Sequence, residues 1–247
     1  MKRLQILMPM GGLGTRFSNN GFNVPKPLIE VDGIPMFLKA LTGFDDLKCK
    51  KTYIFVIRQE QVLNYQLDKQ ILKKIPEAKI VIINKNTEGA VETCLKAENK
   101  INLNEAIVII DCDLYFKSKA YNEIIENSLN NKLPDEVKAA VLYFKSNNPR
   151  YSYAEIENGY VTKTAEKKII SNNALTGAYF FNTGKIFINA AKNLLKENIS
   201  KEMPEYYLSL LYNYILKKKH KVLSAKVDKY YSFGTPEELN SYKNITI

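Results

Sequence analysis

The sequence predicts an α/β protein with a Rossmann-like, doubly wound and mostly parallel mixed sheet. Short runs that are nearly all apolar alternate with longer amphipathic runs along the 247 residues, without a repeat or a low-complexity linker. Short apolar runs are typical of parallel strands that helices cover on both faces. Strands that alternate with helices form right-handed βαβ units, so the order of the runs predicts the fold class.

The first half of the chain contains four such strands and three crossover helices. We predict strands at residues 4–8, 53–57, 78–83 and 106–110. The spacing of apolar residues predicts helices at residues 35–47, 60–75 and 88–100. Each helix is long enough to connect two parallel strands, so these elements form the parallel part of the sheet.

The pattern changes after Leu133 and Pro134. Three strand-like segments then follow one another closely, which predicts a mixed or antiparallel part of the sheet with a small β-ribbon and helical extension. They lie at residues 138–144, 151–157 and 174–181. Helical patterns at 184–197 and 204–216 and a strand at 221–227 complete the series. The second of these helices has Pro204 in the favoured first-turn position.

Composition excludes several classes of protein. With 45% hydrophobic and 25% charged residues, the chain is neither polar enough to remain disordered nor apolar enough for a membrane protein. No apolar run approaches the roughly 20 residues that cross a bilayer, and no signal-peptide cleavage site follows the first apolar run. We therefore expect a cytoplasmic protein without a membrane partner. Three cysteines without CxxC spacing indicate neither a disulfide framework nor a zinc site.

The net charge of +10 comes almost entirely from lysine, with 32 lysines against 4 arginines. Proteins that read nucleic acids usually depend on the bidentate guanidinium group of arginine, so we expect no nucleic-acid partner. The densest cluster, at residues 217–221, follows a helical pattern. It is typical of a solvated helix end, where cations oppose the helix dipole.

A glycine-rich loop follows the first strand, at the sheet edge where ligands of open α/β sheets bind. The loop reads Met10-Gly11-Gly12-Leu13-Gly14-Thr15-Arg16-Phe17. Glycines let backbone N–H groups approach an oligophosphate, and Arg16 adds a cation. The loop is neither a Walker loop, which ends in GKS or GKT, nor a dinucleotide fingerprint, because Phe17 replaces the third glycine. Arg58 ends the second strand where a nicotinamide-dependent enzyme has an acid, which disfavours hydride transfer.

Lys26 stands between Pro25 and Pro27, whose fixed φ angles restrict the backbone. An ammonium group held near the glycine loop could oppose the charge of a phosphate during its transfer. The alternative is a surface lysine in a proline turn.

Asp111 and Asp113 follow the fourth strand at the same sheet edge. Carboxylates at a strand end suit Mg²⁺, or Mn²⁺ in its place. If alternate residues of the strand face opposite ways, only one of the two aspartates binds the metal directly. We favour Asp113 as that ligand. The alternative is that one of the two caps the following helix.

In this order the glycine loop, Pro25-Lys26-Pro27-Leu28 and Asp111-Cys112-Asp113 resemble the motifs of the sugar nucleotidyltransferases, also called nucleoside-diphosphate-sugar pyrophosphorylases. Four later segments are similar to the family's base-recognition segment, acceptor-phosphate element, sugar-pocket strand and closing turn with its helix. They are residues 84–90, Ala165-Glu166-Lys167-Lys168, Thr176-Gly177-Ala178-Tyr179 and residues 233–239. The match covers most of the chain and resembles the short type associated with capsule and lipopolysaccharide loci.

The resemblance implies a nucleotidyltransferase fold, which is GT-A-like, in a single domain of residues 1–247. Residues 1–133 would form the nucleotide-binding half and residues 134–247 the acceptor-binding half. The implied reaction transfers a nucleotidyl group from a nucleoside triphosphate to a sugar 1-phosphate or a similar small phosphorylated acceptor, releasing pyrophosphate. It would make a precursor of capsule or other surface polysaccharide.

The resemblance also implies roles for individual residues. Those implied in catalysis are Arg16, Lys26 and Asp113. Those implied in nucleotide binding are Met10, Gly11, Gly12, Leu13, Gly14, Thr15, Arg16, Lys26, Asn84, Glu88 and Gly89. Those implied in acceptor binding are Glu166, Lys167, Thr176 and Gly177. The small gap expected near Gly89 favours a pyrimidine nucleotide, that is CTP, UTP or dTTP.

One position departs from the family pattern. Family members often carry a second metal-binding aspartate two residues before the closing Gly-Thr pair, where this chain has Ser232. Asp228 or Asp111 could take its place, or Asp113 could hold the metal with waters and phosphates alone.

Three other functions stay open. The first is a cytidylyltransferase that acts on a non-sugar phosphate such as phosphocholine. The second is a metal-dependent glycosyltransferase that consumes a nucleotide sugar, and the third is a module that binds nucleotide without turnover. An apolar stripe at residues 206–215 could cover the acceptor pocket or form a homodimer interface, although core packing is the commoner explanation.

Overall fold

The computed structural model describes residues 3–200 and 204–245. In chain order the strands are β1 (Arg3–Met10), β2 (Glu30–Val31), β3 (Ile34–Pro35), β4 (Lys50–Arg58), β5 (Lys79–Ile83), β6 (Ala106–Ile110), β7 (Leu114–Lys117), β8 (Val137–Lys145), β9 (Tyr153–Glu157), β10 (Tyr160–Ala165), β11 (Asn173–Phe181), β12 (Lys221–Lys226) and β13 (Lys229–Ser232). The α-helices are α1 (Thr15–Ser18), α2 (Met36–Leu41), α3 (Gln59–Tyr65), α4 (Leu67–Lys74), α5 (Ala90–Leu95), α6 (Lys119–Leu129), α7 (Gly184–Leu194), α8 (Leu211–Lys217) and α9 (Pro236–Ile245). Short 3-10 helices lie at Lys26–Leu28, Thr42–Phe44, Glu98–Lys100 and Leu208–Leu210.

Nine strands form one sheet in the order β5-β4-β1-β6-β11-β8-β12-β10-β9. The first four strands in this order are parallel, whereas β11 runs antiparallel to β6 and to β8. The predicted mixed sheet with a parallel first half is therefore confirmed. Ile6 of β1 pairs with Tyr53 of β4 and with Val108 of β6. Because these strands are parallel and in register, their carboxyl ends reach the same edge of the sheet.

Two apolar clusters lie on opposite faces of this sheet. Ile107 and Ile109 belong to one cluster, and Val108 and Ile110 to the other, because successive side chains of a strand point to opposite faces. Every residue of β6 is buried, as expected for a central parallel strand. The apolar stripe at residues 206–215 contributes buried side chains to the first cluster, so core packing accounts for most of it.

A third, smaller apolar cluster lies beside the carboxyl end of β1. It brings Phe17 of α1 and Ile29 together with Phe233 and with Leu239 of α9, and all four side chains are buried. The cluster therefore fixes α9 against the segments that carry Arg16 and Lys26.

Several predicted boundaries differ from the structure. The helix predicted at 60–75 is two helices, because Gln66 between them has a left-handed backbone with φ of 50°. The helix predicted at 204–216 begins at Leu211, so Pro204 is not in its first turn. The helices predicted at 35–47 and 88–100 are shorter and lead into 3-10 turns.

Strand β10 was not predicted, and neither were α6 and the two strand pairs β2–β3 and β7–β13. β10 pairs with β9 across Asn158 and Gly159, whose φ angles are 50° and 82°. Positive φ at both positions is the type I′ hairpin turn that an Asn-Gly pair favours. The sequence therefore held a signal for this hairpin.

The lysine-rich segment and the three cysteines can be compared with what the composition predicted. Lys217 is the last residue of α8, so the lysine-rich segment 217–221 lies at a helix end as predicted. Cys49, Cys94 and Cys112 are free thiols. Within residues 3–200 and 204–245, none of the helices combines the length and the apolar character that a bilayer span requires.

Candidate active site

The carboxyl ends of β1 and β6 place the glycine loop beside Asp111 and Asp113. Gly14 has a left-handed φ of 67° and precedes α1. Gly11 has an extra reason to be glycine, because a Cβ there would lie 2.9 Å from Cγ2 of Thr93. The loop thus needs glycine for its conformation at one position and for space at the other.

Two cavities adjoin at this edge of the sheet. The first, called the glycine-loop cavity, has a volume of about 430 Å³ and is lined by residues 11–15 together with Arg58, Asn86 and Gly89. The second, called the carboxylate cavity, has a volume of about 260 Å³. Its charged lining residues are Arg16, Asp111, Asp113, Arg150, Glu166, Lys167 and Glu238. Because Asp111 lines both cavities, they share a wall.

Lys26 reaches this wall from the 3-10 helix at Lys26–Leu28. Its Nζ forms an ion pair with Oδ2 of Asp113. Burial acts to lower the pKa of Lys26, but the charge and the hydrogen bond of Asp113, together with the charges of Cys112 and Asp111, outweigh it, so the pKa is raised above the usual lysine value. Lys26 is therefore a fixed ammonium group at neutral pH.

Asp111 lies against β11, where its backbone N–H donates to the carbonyl of Gly177 at 2.9 Å. Gly177 has a φ of 95°, and a Cβ there would lie 2.6 Å from Oδ2 of Asp111. Burial, and next the charge of Asp113, raises the pKa of Asp111 to about 8. The expectation that the two aspartates face opposite ways is wrong. Both line the carboxylate cavity, because they lie in the bend between β6 and β7, where the alternation of side chains along a strand does not apply.

Glu166 and Lys167 follow β10 and line the carboxylate cavity. Oε2 of Glu166 accepts hydrogen bonds from Oγ of Ser152 at 2.5 Å and from Oγ of Ser209 at 2.8 Å. Burial raises the pKa of Glu166 in spite of these two bonds. Lys167 has a left-handed φ of 50°, and its Nζ donates to the hydroxyl of Tyr207 at 2.8 Å. Both charged groups are thus held in place by neighbouring side chains.

Thr176, which also lines this cavity, has an unsatisfied hydroxyl. The residue is only 4% exposed, and its buried Oγ1 has no hydrogen-bond partner among the described residues. A buried polar atom without a partner is destabilising. A ligand group that reaches Oγ1 would supply the missing hydrogen bond.

Comparison with known proteins then identifies the family. The family model described as nucleotidyl transferase matches residues 5–239. The chain belongs to the nucleotidyl transferase family. The resemblance carried by the sequence motifs is confirmed, and the chain is an enzyme of this type. No curated protein sequence matches it significantly.

Solved structures have the same fold as this nucleotidyl transferase. A nucleoside-diphosphate-sugar pyrophosphorylase from Vibrio cholerae RC9 matches with a TM-score of 0.79 and 20% identity, over 97% of this chain and 99% of that one. An inositol-1-phosphate CTP transferase from T. maritima matches with a TM-score of 0.72 and 18% identity, over 98% of this chain and 93% of that one. At these identities the likeness establishes the fold.

The carboxylates of this nucleotidyl transferase fit a divalent cation that substrate also coordinates. Members of the family generally use a divalent metal. Among the described residues, no group of three or more His, Cys, Asp or Glu side chains is placed to bind a metal. Mg²⁺, however, takes one or two carboxylates and completes its coordination with phosphate oxygens and waters. Asp111 and Asp113, on one cavity wall, match that requirement.

Five predicted site residues lie outside the lining of the two cavities. They are Met10, Lys26, Asn84, Glu88 and Asp228. Asp228 has a different partner, because its Oδ2 accepts a hydrogen bond from the backbone N–H of Lys119 at 2.8 Å. This contact satisfies the N-terminus of α6. The carbonyl of Glu88 accepts from the N–H of Tyr206 at 2.8 Å, which joins the segment at residues 84–90 to the second half of the chain.

Several polar side chains of the lining were missed by the sequence reasoning. They include Arg58, Asn86, Arg150 and Glu238. Arg58 was noted only as a misplaced residue in a nicotinamide site, yet its Nη1 donates to Oδ1 of Asn86 at 3.0 Å. Three of the four arginines line the cavities: Arg16, Arg58 and Arg150. In a chain with 32 lysines, arginine was a signal for positions that need a planar guanidinium group.

Proposed function

We propose that the enzyme transfers a nucleotidyl group from a nucleoside triphosphate to a sugar 1-phosphate or a similar phosphorylated acceptor, releasing pyrophosphate. The observation that carries this proposal is the wall shared by the two cavities. Asp111 lines both of them, and Asp113, paired with Lys26, stands next to it. A nucleotide in one cavity and an acceptor in the other would meet at these three charged groups.

The glycine-loop cavity would hold the triphosphate. Residues 11–15 line it with a backbone that glycine keeps free of side chains at three positions. Backbone N–H groups of such a loop bind phosphate oxygens. Arg16 follows this loop directly and lines the neighbouring carboxylate cavity. Its charge would oppose that of the pyrophosphate that leaves from the glycine-loop cavity.

The carboxylate cavity would hold the acceptor. Lys167 supplies a cation for the acceptor phosphate, and Glu166 and Thr176 supply oxygens for hydroxyl groups. These residues lie in the half at residues 134–247, whereas the glycine loop lies in the half at residues 1–133. We therefore propose that residues 1–247 act as a single domain with one half for each substrate.

The proposed reaction is a direct displacement. An oxygen of the acceptor phosphate forms a bond to the α-phosphorus, the bond from that phosphorus to the bridging oxygen breaks, and pyrophosphate leaves with the electron pair. The attacking oxygen is already ionised at neutral pH, so no general base is required. Lys26 would stay as an ammonium group against the α-phosphate as its charge shifts. Mg²⁺, or Mn²⁺, held by Asp113 and completed by phosphate oxygens and waters, would supply further positive charge against the phosphate oxygens.

The finer assignment concerns the two substrates. We propose a pyrimidine triphosphate, and a sugar 1-phosphate destined for capsule or other surface polysaccharide, in a cytoplasmic enzyme without nucleic-acid or membrane partners. Four tyrosines also line the carboxylate cavity: Tyr151, Tyr179, Tyr207 and Tyr230. Aromatic rings bind quaternary ammonium groups, so this lining favours phosphocholine as the second candidate acceptor. Family membership favours nucleotidyl transfer over glycosyl transfer and over binding without turnover.

Pyrophosphate release in the presence of Mg²⁺ tests the proposal. CTP, UTP, dTTP, GTP and ATP would be screened against sugar 1-phosphates, phosphocholine and glycerol phosphate. Release that requires one nucleotide and one acceptor together is expected, whereas hydrolysis without an acceptor or silence across the panel would contradict it. Asp113→Asn should abolish metal-dependent release, and the exposed Asp135→Asn should not. Full activity of Asp113→Asn would shift the metal role to Asp111.

A further inference from the structure

Glu238 brings a carboxylate close to that of Asp113, although the two belong to different elements. Glu238 lies on α9 and Asp113 follows β6, and both line the carboxylate cavity. A Cβ at Gly234 would lie 3.2 Å from Oδ2 of Asp113 and 3.2 Å from Oε2 of Glu238. The two oxygens are therefore at most twice that distance apart, and they converge on one small space beside Gly234.

The glycine at position 234 keeps that space open. Gly234 is not among the glycines with positive φ, so its backbone does not require glycine. A side chain there would instead fill the cradle between the two carboxylates. The space is too close to two acidic oxygens to suit an anion or an apolar group, and it suits a cation.

Ser232 determines where the carboxylate of Glu238 points. Its Oγ donates to Oε2 of Glu238 at 2.9 Å, and the same Oγ would lie 3.5 Å from a Cβ at Gly234. Ser232 thus stands where a carboxylate of its own would reach the same cradle. Its hydroxyl instead orients the carboxylate that comes from α9.

Each of the two carboxylates has its own counter-ion in the metal-free chain. Asp113 is paired with Lys26, and Glu238 is paired with Arg150. Tyr151 adds a hydrogen bond from its hydroxyl to Oε1 of Glu238 at 3.1 Å. Oε1 thus carries the contacts to Arg150 and Tyr151, while Oε2 faces the cradle with Ser232 as its partner.

We propose that Glu238 is the second protein carboxylate for the divalent cation, that Ser232 orients it, and that Gly234 leaves the space between it and Asp113. Two carboxylates with phosphate oxygens and waters are what Mg²⁺ takes. The assignment gives Ser232 a defined part in the site where the family pattern has an aspartate. It rests on the proposed function, because the cation acts there with the triphosphate.

Binding of Mn²⁺ to the full chain without substrates tests this assignment, followed by electron paramagnetic resonance of the free ion. Removing a residue that only supports a metal ligand typically weakens metal binding by about 10- to 100-fold. Glu238→Gln removes a ligand itself, so it should raise the dissociation constant of Mn²⁺ by at least this factor. Glu237→Gln is the matched control, since this neighbour on α9 is exposed and should bind Mn²⁺ as the wild type does. Adding Ser232→Asp to Glu238→Gln should restore the affinity.

An unchanged dissociation constant in Glu238→Gln, or an equal loss in Glu237→Gln, would overturn the assignment. Circular dichroism would establish that each variant is folded. If Glu238→Gln does not fold, Ser232→Ala decides, because it keeps the carboxylate and removes the hydroxyl that orients it. Unchanged Mn²⁺ binding in Ser232→Ala would then refute the assignment. Pyrophosphate release by the wild type tests the proposed function separately. If the wild type releases pyrophosphate but the variants bind Mn²⁺ as tightly as it does, the assignment of Glu238 fails and the proposed function stands.

Discussion

Replacing Asp111 by asparagine should stabilise the metal-free protein increasingly as the pH rises. The pKa of Asp111 is raised from 3.8 to about 8 by burial and by the charge of Asp113. Between these two values the folded chain keeps a proton on Asp111 that the unfolded chain releases. Raising the pH through this interval therefore favours the unfolded chain. Asparagine has nearly the same shape and does not titrate, so the stability of the variant does not fall with pH for this reason.

The magnitude follows from the proton balance. One proton that differs between folded and unfolded chain changes the free energy of unfolding by about 1.4 kcal/mol per pH unit. The interval from pH 5 to pH 7 lies wholly between the two pKa values, so the variant should gain about 2.7 kcal/mol relative to the wild type. For a chain of this size about 1 kcal/mol moves the melting temperature by roughly 2–4 °C. The gap in melting temperature should therefore widen by about 5–11 °C across the interval.

Thermal denaturation of both proteins in EDTA, at pH 5, 6 and 7, measures this gap. EDTA is needed because a bound cation would favour the ionised carboxylate. Any constant effect of the amide on packing cancels, because only the change of the gap with pH is compared. A gap that stays constant or narrows from pH 5 to pH 7 would show that Asp111 is ionised in the folded chain and would refute the reasoning.

Three further outcomes are expected. Lys26→Met should lower kcat by about 10²–10³-fold, as for loss of one preorganised charge partner in a transition state; equilibrium dialysis should show triphosphate still bound, and normal turnover would remove Lys26 from the chemistry. Gly89→Ala should destabilise the fold by about 1–3 kcal/mol, because its φ is 130° and a Cβ would lie 2.6 Å from the backbone nitrogen of Tyr206; an unchanged melting temperature would contradict this. Tyr207→Phe removes the hydroxyl that accepts from Lys167 and should raise the KM for the acceptor alone, so an equal rise in the KM for the nucleotide would argue against the division between the cavities.

The strands of the first half were predictable because their signal is local. Residues 106–110 form an uninterrupted apolar run, and β6 has those same bounds. A central parallel strand is buried on both faces, so its sequence is apolar throughout. The polar residues on either side therefore mark where it begins and ends. Helix boundaries were less predictable, because the break at Gln66 depends on a single left-handed residue without a glycine or proline to mark it.

The candidate site was predictable only in part, for a related reason. The glycine loop, Lys26, Asp111 and Asp113 stand directly after strands or in short motifs, where spacing alone indicates that they share an edge. Arg150 and Glu238 are 88 residues apart along the chain and form one ion pair. No local sequence motif indicates that these two residues form a pair, so the sequence did not predict either of them as a site residue.

The sequence by itself determined the fold class, the position of the glycine-rich loop and the family, because each depends on residue types at short spacing. Only the tertiary structure decided which carboxylates face one another. The carboxylate of Asp228 accepts a hydrogen bond at the N-terminus of α6, whereas the carboxylate of Glu238 lies at the cradle beside Asp113. The physical reason is that the direction of a side chain depends on the packing of its element, and α9 is placed by buried contacts of Leu239 with residues far away in the sequence.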